Sequence, residues 1–310
     1  MAICINADIK TLSCAEINPD DLVVKKDDLL KKIFEIDKFE LTSENDEIEI
    51  EVGEMFSFSK NHIKQETKSV LGLDIYKYSE YNDEKQPLIP LIFDTILDHA
   101  IKNATEDDPV LFKNMAIRNN FISTGDGGFI IFPTPLHALM FNMYFFTVLH
   151  VFNCGHFSPR FSRFMGEITI RSTITYDKIF NYENNWYGKA IIKNARILHK
   201  DNLNRFIIDK ETYTYFMRNF NGIESLQVID NKILEKVINA DGKIESSALN
   251  GNLGIIKNIH VQKIQDILAK STQLNIYNVE IQLLSIVKIN EQSTLSYIFT
   301  LGNTNIGNIQ

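Results

Sequence analysis

The stretch FISTGDGGFIIF, Phe121–Phe132, sets a lone carboxylate, Asp126, between glycines, with β-branched and aromatic residues on either side. Flanks of that kind read as two strands, and Gly125, Gly127 and Gly128 supply the backbone freedom of a tight turn. The window is therefore a β-hairpin with Asp126 at its tip. Taken alone, Asp-Gly is ordinary turn chemistry. What Asp126 does depends on what the rest of the chain brings to the hairpin.

Working outward, the order that begins at Ser69 is strand SVLGLDIY, helix PLIPLIFDTILDHAIKNA, the two hairpin strands, and a long apolar helix, Leu136–Phe152. Strand GEITIRSTITY, helix GKAIIKNARILHK and strand RFIID follow. This β-α-β-β-α-β-α-β order predicts an α+β fold of the ferredoxin-like kind, an α/β sandwich whose antiparallel-rich sheet is covered by helices on one face. The long apolar segment carries His137, Asn142 and His150, which suits a buried helix lying on the sheet, its histidines satisfied core or edge groups. Residues 1–66 read as an N-terminal extension with a strand at ICINADI, a charged helix around DDLLKKIFEI and an acidic strand at DEIEIEV. Residues 67–218 form the predicted core domain. Residues 219–310 turn polar and rich in Asn and Ile, with a helix at HVQKIQDILAKSTQLN and strands near YNVEIQLLSIVKI and TLSYIFTL, and read as a separate appended unit.

The chain has 310 residues, 44% of them apolar, ample for a large core. Its three cysteines, Cys4, Cys14 and Cys154, show no CxxC spacing and no clustered histidines, so neither a zinc site nor a disulfide framework is expected and a reducing cytoplasm fits best. The start, MAICINADIKTLSCA, lacks a basic region followed by a clean apolar core, and no window holds eighteen uninterrupted apolar residues, so neither export nor a membrane is expected. The formal charge of −8 argues against a sequence-independent grip on nucleic acid. An acidic protein still binds an anionic nucleotide when metal ions carry the positive charge. There is no GxxxxGK[ST] loop and no GxGxxG after a strand.

A second carboxylate changes the weight of the first. The opening core strand ends in LGLDIYKYS, which puts Asp74 where an apolar strand runs into a loop. If that strand neighbours the hairpin, Asp74 and Asp126 meet at one sheet edge. Adjacent carboxylates repel, and they make sense with divalent cations between them and nucleotide phosphate oxygens completing the coordination. Alone, Asp74 also reads as a helix N-cap, and an arginine such as Arg196 is more often a solvated helix residue than a catalytic one. Asp8, in INADIKTL, mimics Asp74 but lies too far from the hairpin in sequence for a compact core.

LDIYKYS (residues 73–79) followed by TGDGGFIIF (residues 124–132) resembles the catalytic domain of class III nucleotide cyclases, in which a strand-end Asp-Ile and a hairpin Gly-Asp hold two metal ions. A third block agrees: WYGKAIIKNARIL, Trp186–Leu198, resembles the family's helix in which a glycine is followed eight positions later by an arginine, here Gly188 and Arg196. The three blocks span roughly residues 67–216. The resemblance implies two divalent cations, Mg²⁺ or Mn²⁺, held by Asp74, Ile75 and Asp126. It implies a phosphate cradle at Tyr76, Lys77, Tyr78 and Ser79, and Arg196 as the catalytic arginine on the α-phosphoryl group. In the family the carboxylates and the arginine come from opposite subunits, so a head-to-tail homodimer with composite active sites is implied as well.

Where the family usually has an asparagine four residues before the arginine, this chain has Ile192; where it has a purine-reading lysine and carboxylate, this chain has Ile122 and Asn185. Loss of the purine readers fits a degenerate cyclase or a pocket for another base. Both metal carboxylates and the arginine remain, which favours the changed base. In this the chain is similar to the bacterial antiphage pyrimidine cyclases of the Pycsar type. The implied function is conversion of UTP or CTP to the 3′,5′-cyclic nucleotide and pyrophosphate, as a second messenger in antiphage defence. Asn185 is the expected base reader, with an ordinary turn asparagine as the alternative. Tyr187 and Phe121 pack against the base or the core, and Lys193 and Lys200 either reach phosphate or are exposed helix lysines. The competing readings are a catalytically silent, cyclase-like nucleotide-binding module and an adenylate or guanylate cyclase with unusual readers.

Overall fold

The computed structural model describes residues 40–44, 47–52, 56–58, 65–155, 159–182, 185–220, 255–264, 266–269, 272–290 and 293–303. The strand ICINADI and the helix DDLLKKIFEI lie outside the described residues. The chain divides into two units, one of residues 1–65 with 180–185 and the other of residues 66–179 with 186–310. In the first, β1 (Glu40–Glu44), β2 (Glu47–Val52) and β3 (Phe56–Phe58) form an antiparallel three-stranded sheet. The acidic strand expected at DEIEIEV is β2.

The larger unit is built on a mostly antiparallel sheet. Strands β4 (Gln65–Ile75), β5 (Phe121–Ser123), β6 (Gly127–Phe132), β7 (Ile170–Tyr182), β8 (Asn185–Gly188) and β9 (Phe206–Asp209) come from the stretch read as the core. The remainder supplies β10 (Ile255–Lys263), β11 (Ile267–Ala269), β12 (Thr272–Leu274), β13 (Ile276–Asn290) and β14 (Ser293–Leu301). The sheet runs β10-β13-β9-β7-β4-β6-β5, with β14 on β13 and β8 on β7, while β11 and β12 form a separate hairpin. The helices are α1 (Leu88–Asp107), α2 (Pro135–Asn153), α3 (Lys189–Lys200) and α4 (Lys210–Phe220), with two short helices, Pro109–Phe112 and Pro159–Met165. The element order from β4 to β9 is the one expected, with β8 and the two short helices added to it.

Helices cover both faces of the sheet, where one face was expected. The run SVLGL in β4 is buried without a break from Ser69 to Leu73, the pattern of a strand covered on two sides. Leu71, Leu73 and Ile75 pack with Ile130, Phe132 and the apolar faces of α1 and α2. Val70 points the other way, with Ile131, Ile179 and Ala190 of α3. Helix α2 is apolar on nearly every side. By length and composition it could cross a membrane, yet 78% of its most apolar window is buried inside the fold. His137 on α2 bonds Thr134 Oγ1 through Nδ1 at 2.8 Å, and burial lowers it to about 4, so it is a neutral core group.

The C-terminal region departs from the sequence reading in two ways. Strands β10, β13 and β14 extend the same sheet instead of forming a unit of their own: β13 pairs antiparallel with β9 from Ile276↔Asp209 to Val279↔Phe206. Among its described residues the stretch HVQKIQDILAKSTQLN, expected to be a helix, instead forms the end of β10 and the β11–β12 hairpin. Ile259 and Val261 alternate with His260 and Gln262 along β10, a period of two that β13 satisfies with a full antiparallel ladder. Ile267 and Leu274 of the hairpin bury against Ile197 and Ile207, so tertiary contacts decide against the helix.

Candidate active site

The hairpin lies against the end of β4. In the register, Asp74 faces Gly127 and Leu73 faces Gly128. The Ile75 N–H donates to the Asp126 carbonyl at 3.0 Å, and the Thr124 N–H to the Gly127 carbonyl at 3.0 Å closes the turn. Gly125 at φ +104° holds a conformation that other residues rarely adopt. At Gly127 the reason is closeness: a Cβ there would lie 2.1 Å from the Leu73 carbonyl oxygen and 2.9 Å from Asp74 Cα. The glycines thus let Asp126 be pinned beside Asp74.

The Asp74 carboxylate lies within the field of Asp126. Burial raises the Asp74 carboxyl above its usual range, the Arg171 guanidinium pulls it back down, and the charge of Asp126 pushes it up again, with a net rise. Arg171, on β7, was not singled out in the sequence. Its Nε donates to Asp74 Oδ2 at 2.5 Å, and its Nη1 donates to the Asp201 carbonyl. Asp201 is itself locked: its Oδ1 takes Arg205 Nε at 2.8 Å, with both side chains essentially inaccessible, and its Oδ2 takes the Arg205 backbone N–H at 3.0 Å. A charged residue within the strand run IRSTITY was the available signal. The pairing of β7 with β4 that gives it meaning cannot be read from one sequence.

After β4 the chain makes a tight turn. The Tyr76 N–H donates to the Thr169 carbonyl at 2.9 Å and the Tyr76 hydroxyl to the Asn202 carbonyl at 3.0 Å. Lys77 is left-handed, with φ 59°, and opens a one-turn 3₁₀ helix, Tyr78–Glu80. The turn is closed by Glu80 N–H to the Lys77 carbonyl and Tyr81 N–H to the Tyr78 carbonyl, so the N–H groups of Lys77, Tyr78 and Ser79 are not used in closing it. Lys77 Nζ pairs with Glu80 at 3.0 Å, the Tyr78 hydroxyl donates to the Gln86 carbonyl at 3.4 Å, and Ser79 is exposed.

Helix α3 buries Ala190, Asn194, Ile197 and Leu198. Asn194 Nδ2 donates to the Val70 carbonyl at 2.8 Å and the Thr173 carbonyl at 3.0 Å, tying α3 to β4 and β7. It is a structural lock and does not stand in for the asparagine missing at Ile192. Ile192 is 50% exposed, and Arg196, one turn further along the same helix face, is partly buried. Tyr187 is exposed, as is Asn185. Ile122 packs on the edge of the Val70, Ile131, Ile179 and Ala190 cluster. Lys193 does not extend toward solvent: it pairs with Asp177 at 2.7 Å, Glu211 at 3.0 Å and Asp209 at 3.6 Å.

The donors gathered at the end of β4 are the carboxylates of Asp74 and Asp126 and the main chain of Ile75. Among the described residues no group of three or more His, Cys, Asp or Glu could hold a metal ion. Two carboxylates with hard oxygen atoms suit Mg²⁺ or Mn²⁺ whose remaining positions are filled by phosphate oxygens and water, and suit a closed zinc site poorly. The Asp126 side chain makes no hydrogen bond or ion pair among the described residues, so its oxygens are open to such a cation.

No protein-family model matches the chain, and no curated protein matches it. Among solved structures it is similar to the adenylyl cyclase CyaB from P. aeruginosa, at 12% identity and a TM-score of 0.43 over 70% of this chain and 95% of that one. It is also similar to the guanylate cyclase domain of RhGC from Catenaria anguillulae in complex with GTP, at 12% identity and a TM-score of 0.41 over 70% of this chain and 97% of that one. A third is an adenylate/guanylate cyclase/hydrolase from Silicibacter pomeroyi, at 13% identity and a TM-score of 0.35 over 70% of this chain and 97% of that one. Likenesses of this strength carry no function across.

Proposed function

We propose that the chain is a nucleotide cyclase that converts UTP or CTP to the 3′,5′-cyclic nucleotide and pyrophosphate. The observation that carries this is the pinning of Asp126 beside Asp74, with the Ile75 N–H on the Asp126 carbonyl at 3.0 Å and the Asp74 carboxylate within the field of Asp126. Asp74, Asp126 and the Ile75 main chain would hold two divalent cations. Bound there, such ions supply Lewis-acid activation of the ribose 3′-hydroxyl and neutralise the triphosphate. In the turn from Tyr76 to Ser79 the backbone N–H groups of Lys77, Tyr78 and Ser79 would be the ones offered to phosphate, since the Tyr76 N–H is taken by the Thr169 carbonyl. Arg196 stabilises negative charge developing on the α-phosphoryl group. Arg196 shares a helix face with the exposed Ile192, which suits a composite site completed across a head-to-tail homodimer.

The pyrimidine assignment rests on the chain's departures from the purine pattern at Ile122, Asn185 and Ile192, with Asn185 reading the base and Tyr187 packing against it. The part in antiphage defence rests on the resemblance to pyrimidine cyclases alone. A silent nucleotide-binding module is the second reading, favoured by the apolar Ile192 standing exposed where a ribose-orienting amide is expected. The test is incubation of purified protein separately with ATP, GTP, CTP and UTP, with Mn²⁺ or Mg²⁺, and identification of products by mass spectrometry beside an Asp74→Ala control. A cyclic pyrimidine lost in the control is the expected result. A cyclic purine keeps the cyclase and removes the pocket reading, and no cyclic product from folded dimer turns the choice to the silent module. Mixing Asp126→Ala with Arg196→Ala protein tests the composite site: partial recovery is expected, and none despite proven subunit exchange would refute it.

A further inference from the structure

We propose that Arg171 is a positioning residue for the cation site: it fixes the Asp74 carboxylate by one oxygen so that the other is presented to the ion. The proposal rests on the reading of Asp74 and Asp126 as cation ligands. Arg171 Nε donates to Asp74 Oδ2 at 2.5 Å, and Oδ1 makes no hydrogen bond among the described residues. The same guanidinium is held from behind, because Nη1 donates to the Asp201 carbonyl and the Asp201 carboxylate is clamped by Arg205 and by the Leu203 and Arg205 backbone N–H groups. The Arg171 and Asp74 side chains are only 21% and 17% exposed, so little room remains for either to swing. An arginine anchored at both ends of its fork is a brace, where one held only by the carboxylate would be a counterion that a metal displaces.

The residue type fits that task. A planar fork spans two acceptors in fixed geometry, and an ammonium group on a flexible stem does not. A carboxylate that binds a metal through one oxygen is commonly oriented by a hydrogen bond to the other, and losing that partner lowers metal affinity about 10–100-fold. Arg171, Thr173 and Thr175 alternate onto the face of β7 that meets α3, where Thr175 Oγ1 donates to the Ala190 carbonyl. Asp74 lies on the corresponding face of β4, in step with Val70 and Gly72, both beneath α3.

The experiment is Mn²⁺ binding to the full chain, without nucleotide, followed by the electron paramagnetic resonance signal of free Mn²⁺, for wild type, Arg171→Gln, Arg171→Lys and Asp74→Asn. Folding is checked by near-UV circular dichroism. Asp74→Asn is expected to remove the site. Arg171→Gln should weaken Mn²⁺ by about 10–100-fold, and Arg171→Lys should fall between it and wild type, since it keeps the charge but loses the fork. Should Arg171→Gln fail to fold, Arg171→Lys alone decides, because unchanged affinity in it overturns the brace. Variants of Arg171 that bind Mn²⁺ as tightly as wild type, or more tightly, refute positioning while leaving the cation site standing. Wild type that binds no Mn²⁺, or Asp74→Asn that binds it normally, removes the cation site and the proposal together.

Discussion

Strand β7 feeds two clusters of charge that look alike in composition and differ in kind. Near its start Arg171 meets Asp74, with Asp126 close by. Further along Asp177 meets Lys193, which also reaches Asp209 and Glu211. Each cluster has more carboxylates than cations. In the second, the acids are committed: Asp209 takes the Tyr176 N–H through both oxygens at 3.3 and 3.4 Å and the Thr212 N–H at 2.9 Å, and Asp177 takes the Lys178 N–H at 2.7 Å. In the first, Asp74 keeps one oxygen and Asp126 both. Excess negative charge alone therefore does not mark a cation site; excess charge with unspent oxygens does.

The sharpest way to break this contrast is to remove a carboxylate from the first cluster. Asp126→Ala is expected to lower cyclase activity by at least about two to three orders of magnitude, the scale for losing a group that stabilises transition-state charge. Its Tm should stay within a degree or two of wild type, because the Asp126 side chain makes no hydrogen bond or ion pair among the described residues. A large fall in Tm would make Asp126 a structural turn residue. The opposite profile belongs to Lys193→Met, which strands Asp177 and Glu211 and removes the cation beside Asp209. Removing one partner of a buried ion pair destabilises by about 3–5 kcal/mol. Here Glu211 is half exposed and water takes up part of the loss, so about 2 kcal/mol is expected, read as a Tm lower by several degrees. Unchanged melting would show that the second cluster locks nothing.

How much of this contrast was legible beforehand follows from what each part depends on. The hairpin, Asp74 at a strand end and the helix bearing Arg196 are local patterns of glycine, alternation and amphipathic spacing, and they stand where the sequence put them. Arg171 was invisible because its meaning lies in the register of two strands far apart in the chain. Lys193 was misread for a similar reason: helical spacing leaves it at the border of the buried face, and only the position of β9 and α4 shows that acids wait there. The β10–β12 stretch went wrong because HVQKIQDIL satisfies a helical and an extended pattern alike, and β13 settles the choice by offering a ladder. Helices on both faces were foreshadowed by the unbroken apolar run SVLGL, although the ferredoxin-like order drew attention to one face.

A third test separates the seat of α3 from both clusters. Gly72 lies under the helix, and a Cβ there would come within 1.9 Å of Asn194 Oδ1 and 2.8 Å of Leu198 Cδ1. Gly72→Ala forces the helix outward or breaks the Asn194 bonds to Val70 and Thr173, and overpacking of this kind destabilises by about 1–3 kcal/mol. Because α3 carries Arg196 and runs into the Asp201 turn that anchors Arg171, activity per folded molecule should fall along with Tm. Activity that survives the loss of stability would mean that the seat of α3 does not set the geometry of the first cluster.

The second cluster also predicts a pH signature that the first should not disturb. Burial, and then the neighbouring Glu211, raise the Asp209 carboxyl from 3.8 to about 7. Between those values the folded chain holds a proton on Asp209 that the unfolded chain has released, so folding binds protons there and stability falls as pH rises, levelling above about 7. Glu211, held below its usual range, works in the opposite sense lower down, and the pair together takes up at most one proton in this window. The slope is therefore bounded at about 1.4 kcal/mol per pH unit. Asp209→Asn cannot titrate at this position. The stability of wild type minus that of Asp209→Asn, measured by urea unfolding at half-unit steps from pH 4 to 8, should decline up to about pH 7 and then run flat. Taking the difference cancels Asp74 and His137, whose shifts are common to both proteins. A difference that stays constant across the range would mean that Lys193 keeps Asp209 ionised in the folded state, making the second cluster a set of salt bridges with no shared proton.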